Sequence, residues 1–173
     1  GVEIPAEQVP LAQKNIIKVA GSLGKPVIIA TQMLESMIDN KTPTRAEVSD
    51  IANSIFDDVD ALLVTGETAI GKYPLDVVQT LKRVIIETEQ SNLSGRKSLP
   101  EHVTKTADAI SHAVCEIAID LDIKVIMTMT HSGSTARMIS RYRPQGRILA
   151  LTPFKIIARQ LQIVWGVMAI KVE

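Results

Sequence analysis

Three short segments carry the residue types that do chemistry. Thr31-Gln32-Met33-Leu34-Glu35-Ser36 directly follows the apolar run Val27-Ile28-Ile29-Ala30, and Thr65-Gly66-Glu67 directly follows Ala61-Leu62-Leu63-Val64. Both apolar runs are short, aliphatic and read as strands. In α/β folds, ligands and reacting groups gather at the carboxyl ends of strands. A hydroxyl at Thr31, a hydroxyl at Thr65 and a carboxylate at Glu67 suit the orienting of a water or the relay of a proton. The same threonines also suit a plainer task, satisfying backbone groups where strands turn into loops. The third segment, Thr130-His131-Ser132-Gly133-Ser134-Thr135-Ala136-Arg137, follows a strand-like run and opens a helix. Hydroxyls, a glycine and free N–H groups there could hold an anion, with Arg137 one turn in. A simple helix cap explains Ser132 and Ser134 equally well.

The elements that must position these groups alternate. A helix is predicted over 6–23, where Val9, Ala12, Ile16, Val19 and Ala20 recur at helical spacing and Gly24 stops it. The strand Val27–Ala30 follows, then a polar break over 39–43. Thr44-Arg45-Ala46-Glu47 has capping-box spacing and opens a helix running to Phe56. After the strand Ala61–Val64, Gly66 and Gly71 bracket a loop. Tyr73-Pro74-Leu75 starts a helix that runs to Gln90. Polar residues 91–106, with Gly95 and Pro100, read as a linker. Beyond it, Ala107, Ile110, Val114, Ile117 and Leu121 form an amphipathic stripe. Strands are expected at Val125–Thr130, Arg147–Thr152 and Val167–Val172, with helices over 134–142 and 156–162 between them. This order predicts βαβ units and a mostly parallel sheet.

Composition narrows the class. Of 173 residues, 46% are hydrophobic but only 3% aromatic, so aliphatic side chains must fill the core. That suits parallel strands covered on both faces. The 19 basic residues balance the 19 acidic ones, which gives no electrostatic case for a nucleic-acid or membrane partner. Arg141, Arg143 and Arg147 read as a solvated helix end rather than as an anion or nucleic-acid site. The single cysteine, Cys115, excludes an intrachain disulfide and reads as packed and inert. His102 reads as solvated and His112 as a packing residue, and no spacing reads as a metal site. Trp165 reads as a core or interface anchor. No apolar run is long enough to span a bilayer. The start lacks both signal-peptide character and an initiator Met, so the true N-terminus is expected upstream.

Four motifs in order then resemble one family. ATQMLESMI (Ala30–Ile38), PTRAE (Pro43–Glu47), SDIAN (Ser49–Asn53) and TGETAIGKYP (Thr65–Pro74) are similar to the signature run of the pyruvate kinases. The resemblance extends from GVEIPAE (Gly1–Glu7) to VWGV (Val164–Val167) and so covers the chain. It implies the C-terminal part of a (β/α)8 barrel at 1–90, with Val27–Ala30 and Ala61–Val64 as its last two strands. A linker at 91–103 and a partial three-layer α/β regulatory domain at 104–173, with a mostly parallel sheet, would follow. It implies phosphoryl transfer from phosphoenolpyruvate to ADP, with Mg2+ or Mn2+ and K+, in a cytoplasmic homotetramer. The residue matching Thr31 lies beside the substrate in that family, and those matching Thr65 and Glu67 belong to a hydrogen-bonded relay. Thr65 stands where the family usually has Ser, which keeps the hydroxyl but restricts its rotamers. The family's phosphate-facing Lys, substrate-binding Arg and metal-binding carboxylates fall upstream of Gly1, so the chain alone is expected to be inactive. The helix opened at Thr44 lies at a subunit contact in the family. The segment Thr130, Ser132, Gly133, Ser134 and Thr135 is similar to a loop that holds a phosphate of an activating sugar phosphate. Two readings stand beside this one: a non-catalytic module sensing a phosphorylated metabolite, such as a sugar phosphate or nucleotide, and a structural fragment without a ligand. Two barrel strands without their partners also predict an exposed sheet edge beside Val27–Ala30.

Overall fold

The computed structural model describes residues 3–91 and 106–173. Of the expected polar linker over 91–106, Ser91 and Thr106 are described, Thr106 as the first residue of a helix; the rest lies outside the described residues, as does His102. Residues 3–17 and 27–91 make one compact unit, and residues 18–26 and 106–173 make another. No helix among the described residues is long and apolar enough to cross a membrane.

The first unit is built around a parallel pair of strands. A single turn at Ala6–Gln8 leads into α1 (Val9–Ser22), whose residues 18–22 belong to the other unit. Strand β1 (Ile28–Ala30) pairs in parallel with β2 (Ala61–Leu63), Ile28 opposite Ala61 and Ala30 opposite Leu63. The Asp60 carboxylate accepts a 2.8 Å bond from Val27 N–H and fixes this register at its start. Between the strands lie a turn at Glu35–Ile38 and helix α2 (Arg45–Phe56). The capping box forms as its spacing predicts: Thr44 Oγ1 accepts from Glu47 N–H, and the Glu47 carboxylate accepts from Thr44 N–H. After β2 come α3 (Gly66–Ala69) and α4 (Pro74–Gln90), the latter with Pro at its first position, where a missing N–H costs nothing. Met33, Leu34, Met37, Ile51, Val77 and Leu81 form the core of this unit. Fully burying each such side chain contributes about 2 kcal/mol.

Two expectations change here. The segment from Gly66 to Gly71 is not an open loop but opens with the short helix α3, in which Ala69 N–H bonds Thr65 O at 2.9 Å. Gly71 follows that turn at a position where a Cβ would sit 2.3 Å from the Glu67 carbonyl oxygen, so a side chain does not fit there. The strands are also less buried than their aliphatic runs suggested. Ile28 is 46% exposed and Leu63 47%. The pair β1–β2 is the whole sheet of this unit among the described residues, so one side of each strand lacks a neighbour.

The second unit holds a three-stranded parallel sheet in the order β3 (Val125–Met129), β4 (Arg147–Thr152), β5 (Val167–Lys171). Helices α5 (Thr106–Asp120), α6 (Ser134–Ser140) and α7 (Lys155–Gln160) accompany it, with one further turn at Leu161–Ile163. Its core joins Cys115 and Ala118 of α5, Ala136 and Ile139 of α6, Ile126, Ile148 and Ala150 of the sheet, and Leu161. The alternation along the strands is sharp. Ile148, Ala150 and Thr152 are fully buried, while Val125, Met127, Met129, Met168 and Ile170 are exposed. The described residues therefore cover one face of the sheet, not the two that the composition suggested.

Candidate functional site

The strand-end cluster is assembled by the pairing of β1 with β2. Because Ala30 lies opposite Leu63, the segments that begin at Thr31 and at Val64 leave the sheet side by side. Thr31 and Gln32 have φ of 73° and 55°. The left-handed region disfavours any residue with a Cβ, and a β-branched threonine most of all. Such consecutive outliers persist only where the surroundings hold them, and they cluster at functional sites. Both side chains are exposed, as is Thr65. Thr65 precedes α3 but makes no side-chain capping bond, so capping does not account for its hydroxyl.

Glu67 plays a different part from the two threonines. It is 3% exposed. One carboxylate oxygen accepts from Leu34 N–H at 3.1 Å, and the other accepts from Thr65 N–H at 2.9 Å. The side chain thus ties the segment after β1 to the segment after β2. Burial acts to raise its pKa and is the largest single influence. The backbone N–H groups of Glu67, Leu34 and Thr65 together outweigh it, and the carboxyl is held below its ordinary value of 4.5.

Glu47 has a role that the sequence did not disclose. Its capping box with Thr44 is local, but its carboxylate also accepts from Ser36 N–H at 2.7 Å and from Ser36 Oγ at 2.5 Å. That contact joins α2 to the turn after β1 across eleven residues. Burial again pushes its pKa up, and the Ser36 and Thr44 donors pull it down further, leaving it lowered. A carboxylate with a depressed folded pKa stabilises the fold above its unfolded pKa and loses that contribution as pH falls through the folded value. The urea midpoint of the first unit is therefore expected to be level above about pH 5.5 and to fall steadily below about pH 4.5. Glu47→Gln should flatten that fall, as read by far-UV circular dichroism at a series of pH values. An unchanged slope in the variant would refute the assignment.

The hydroxyl-rich loop is built on a buried anchor. Thr130 is 6% exposed, and its Oγ1 accepts from Gly133 N–H at 2.9 Å. Gly133 has φ 79°, and a Cβ there would meet Arg137 Nη1 and a Leu161 methyl, each at 3.0 Å. Ser132, Ser134 and Thr135 are exposed. Ser132 Oγ lies 3.1 Å from Ser134 Oγ, and Arg137 Nη2 donates to Ser132 O at 2.8 Å. Four of the five expected residues thus form one turn at the start of α6, with Thr130 closing it from below and the Arg137 guanidinium folded over it. His131 stands edge-on to Phe154, ring centroids 5.4 Å apart.

The arginines are corrected by the structure. Arg141 is not part of a solvated helix end. Its side chain is 8% exposed and its Nη1 lies 3.1 Å from Asp108 Oδ1. Tyr142 Oη donates to the same oxygen at 2.6 Å. Burial and this bond push the Tyr142 hydroxyl up to about 12. Arg143 packs over the Trp165 ring at 4.7 Å, while Arg147 is exposed. Asp108 escaped the sequence reading because an acidic residue in a first helical turn is ordinarily solvated and favoured there by the helix dipole. Cys115 is buried and donates to Ile139 O, and burial pushes its thiol up to about 11. His112 packs against Tyr142 at 5.3 Å.

Comparison with known proteins supplies the family. A profile described as pyruvate kinase, barrel domain, matches residues 1–78, and one described as pyruvate kinase, alpha/beta domain, matches residues 108–173. A pyruvate kinase of Bacillus licheniformis is 51% identical over 98% of this chain, and one of Geobacillus stearothermophilus is 49% identical over 96%. The chain spans 29% of the length of each. A crystal structure of a pyruvate kinase from Cryptosporidium parvum superposes with a TM-score of 0.89 at 40% identity, covering 99% of this chain and 36% of that one. A Cryptosporidium parvum pyruvate kinase in complex with ADP superposes with a TM-score of 0.85. With two domain profiles of one enzyme matched in order, this α/β chain belongs to the pyruvate kinase family and corresponds to part of its barrel and part of its alpha/beta domain.

Proposed function

We propose that this chain supplies the proton-relay side of a pyruvate kinase active site, together with part of its regulatory domain. On this reading residues 1–90 end the catalytic barrel, 91–103 link, and 104–173 begin the regulatory domain. The complete enzyme transfers the phosphoryl group of phosphoenolpyruvate to ADP. The bond from phosphorus to the enol oxygen breaks, a bond to the terminal phosphate oxygen of ADP forms, and the enolate takes a proton at its methylene carbon to give pyruvate. The observation that carries the proposal is the pair of exposed hydroxyls, Thr31 and Thr65, on segments that leave adjacent parallel strands. A hydroxyl pair at strand ends can pass a proton inward from water. Glu67, with both oxygens engaged by N–H groups, holds the two segments at a set distance and acts through them.

The residues present do not fit a divalent ion. Both Glu67 oxygens already accept backbone N–H bonds, and among the described residues no group of three or more His, Cys, Asp or Glu converges. Mg2+ or Mn2+, and K+, would be held by parts of the enzyme outside this chain. The turn of Thr130, Ser132, Gly133, Ser134 and Thr135 is read as the phosphate cradle for a sugar-phosphate or nucleotide effector, because its exposed hydroxyls and the Arg137 guanidinium share one turn. A cytoplasmic homotetramer, with α2 at a subunit contact, completes the proposal.

The test uses the 173-residue chain and a chimera in which it replaces the matching segment of a full-length relative. The isolated chain should form no ATP from phosphoenolpyruvate and ADP with Mg2+, whereas the chimera should be active. In the chimera, Thr65→Ala should lower kcat about a hundredfold with little change in KM. Turnover by the isolated chain, or a Thr65→Ala chimera as fast as its parent, would overturn the proposal.

A further inference from the structure

We propose that Glu47 is a positioning residue for the strand-end site, holding, together with Glu67, the strained turn that carries Thr31; this rests on the proton-relay reading of Thr31. The turn leaves β1 through two consecutive non-glycine residues with positive φ, Thr31 and Gln32. Nothing in their own sequence favours that conformation. The segment that follows is gripped at two points. Glu67 takes Leu34 N–H from the side of β2, and Glu47 takes both Ser36 N–H and Ser36 Oγ from the side of α2. At the first anchor Leu34 is fully buried, and Met33 just before it is 4% exposed. The chain therefore cannot relax by shifting along its own axis.

The Glu47 carboxylate also binds Thr44 N–H and Thr44 Oγ1, at 2.7 and 2.8 Å. One oxygen serves Ser36 N–H, and the other serves three donors, two on Thr44 and one on Ser36. A helix cap needs only the Thr44 bonds. The Ser36 bonds add nothing to the cap, but they couple the first turn of α2 to the turn bearing Thr31. Glu47 is thus a bridge between a helix and a candidate catalytic loop, and Ser36 is its receiver.

Amide exchange on the 173-residue chain separates the cap from the bridge. Glu47→Ala should raise exchange over residues 33–36 about tenfold while Ile51 and Val77 stay protected. Glu47→Gln keeps a carbonyl acceptor for Ser36 N–H but presents an N–H2 group toward Thr44 N–H, so it should fall between Glu47→Ala and the parent. Thr44→Ala weakens the cap and should leave 33–36 unchanged. In the chimera, Glu47→Ala should lower kcat about tenfold with KM for ADP nearly constant, and Glu47→Gln should recover part of the loss. Unchanged exchange at 33–36, or equal loss in Thr44→Ala, would overturn the proposal. So would a kcat unaffected by Glu47→Ala in an active chimera. If the parent chimera is itself inactive, the relay reading fails, and the exchange arm still decides whether Glu47 holds the turn.

Discussion

Glu67→Ala is expected to destabilise the first unit by about 3 kcal/mol, the sum of two lost charge-assisted bonds less some relaxation. The cause is local. Leu34 is fully buried, so its N–H has no water to turn to once the carboxylate is gone. Thr65 N–H loses its 2.9 Å partner as well. Glu67→Gln keeps the shape and one acceptor oxygen but turns an N–H2 group toward the other N–H, so roughly half the loss should remain. Amide exchange at Ile51 and Val77, both fully buried in this unit, reports its opening and supplies the free energy. A loss under about 1 kcal/mol in Glu67→Ala would mean that the clamp is not formed in solution.

The second large effect lies in the other unit. Asp108→Ala should cost about 4 kcal/mol, because it leaves the Arg141 guanidinium buried without a counter-charge. Asp108 is 4% exposed and receives both Arg141 and the Tyr142 hydroxyl on one oxygen. Arg141 also lies over the Tyr142 ring at 5.1 Å, so it has some remaining support. Tyr142→Phe removes one donor and leaves the ion pair, and should cost about 1 kcal/mol. The double variant Asp108→Ala with Arg141→Met should be more stable than Asp108→Ala alone, because the stranded charge is then removed. Urea unfolding followed through Trp165 fluorescence reads all three. A double variant no more stable than Asp108→Ala alone would contradict the buried-pair account.

Much of the architecture was legible from local patterns. The capping box at Thr44 and Glu47 and the proline opening α4 specify their own helix starts, since the bonds that cap a helix lie within one turn. The aliphatic runs at 28–30, 61–63 and 147–152 became strands because their side chains alternate between two faces. Their burial was not legible. It depends on which neighbours stand beside each strand, and Ile28 and Leu63 remain half exposed because the first unit offers two strands only. The short helix α3 was missed for a related reason. Gly66 and Gly71 signal a turn by composition, while the helix between them is made by backbone bonds, Ala69 N–H to Thr65 O and Ile70 N–H to Gly66 O, that composition does not reveal.

The candidate site divides in the same way. Four motifs in order, the run from Thr65 to Pro74 foremost, were enough to mark the family, and the order of elements placed Thr31, Thr65 and Glu67 just after strands, where ligands and reacting groups gather. What each of these groups does was decided by contacts between segments far apart in the chain. Glu67 reaches Leu34 across 33 residues, Glu47 reaches Ser36 across eleven, and Asp108 receives Tyr142 across 34. No periodicity encodes such pairs, because a carboxylate in a sequence looks the same whether it meets water or a buried N–H. Folding decides which of the two it meets. That choice makes Thr31 and Thr65 exposed hydroxyls and turns Glu67 and Glu47 into the bonds that hold them in place.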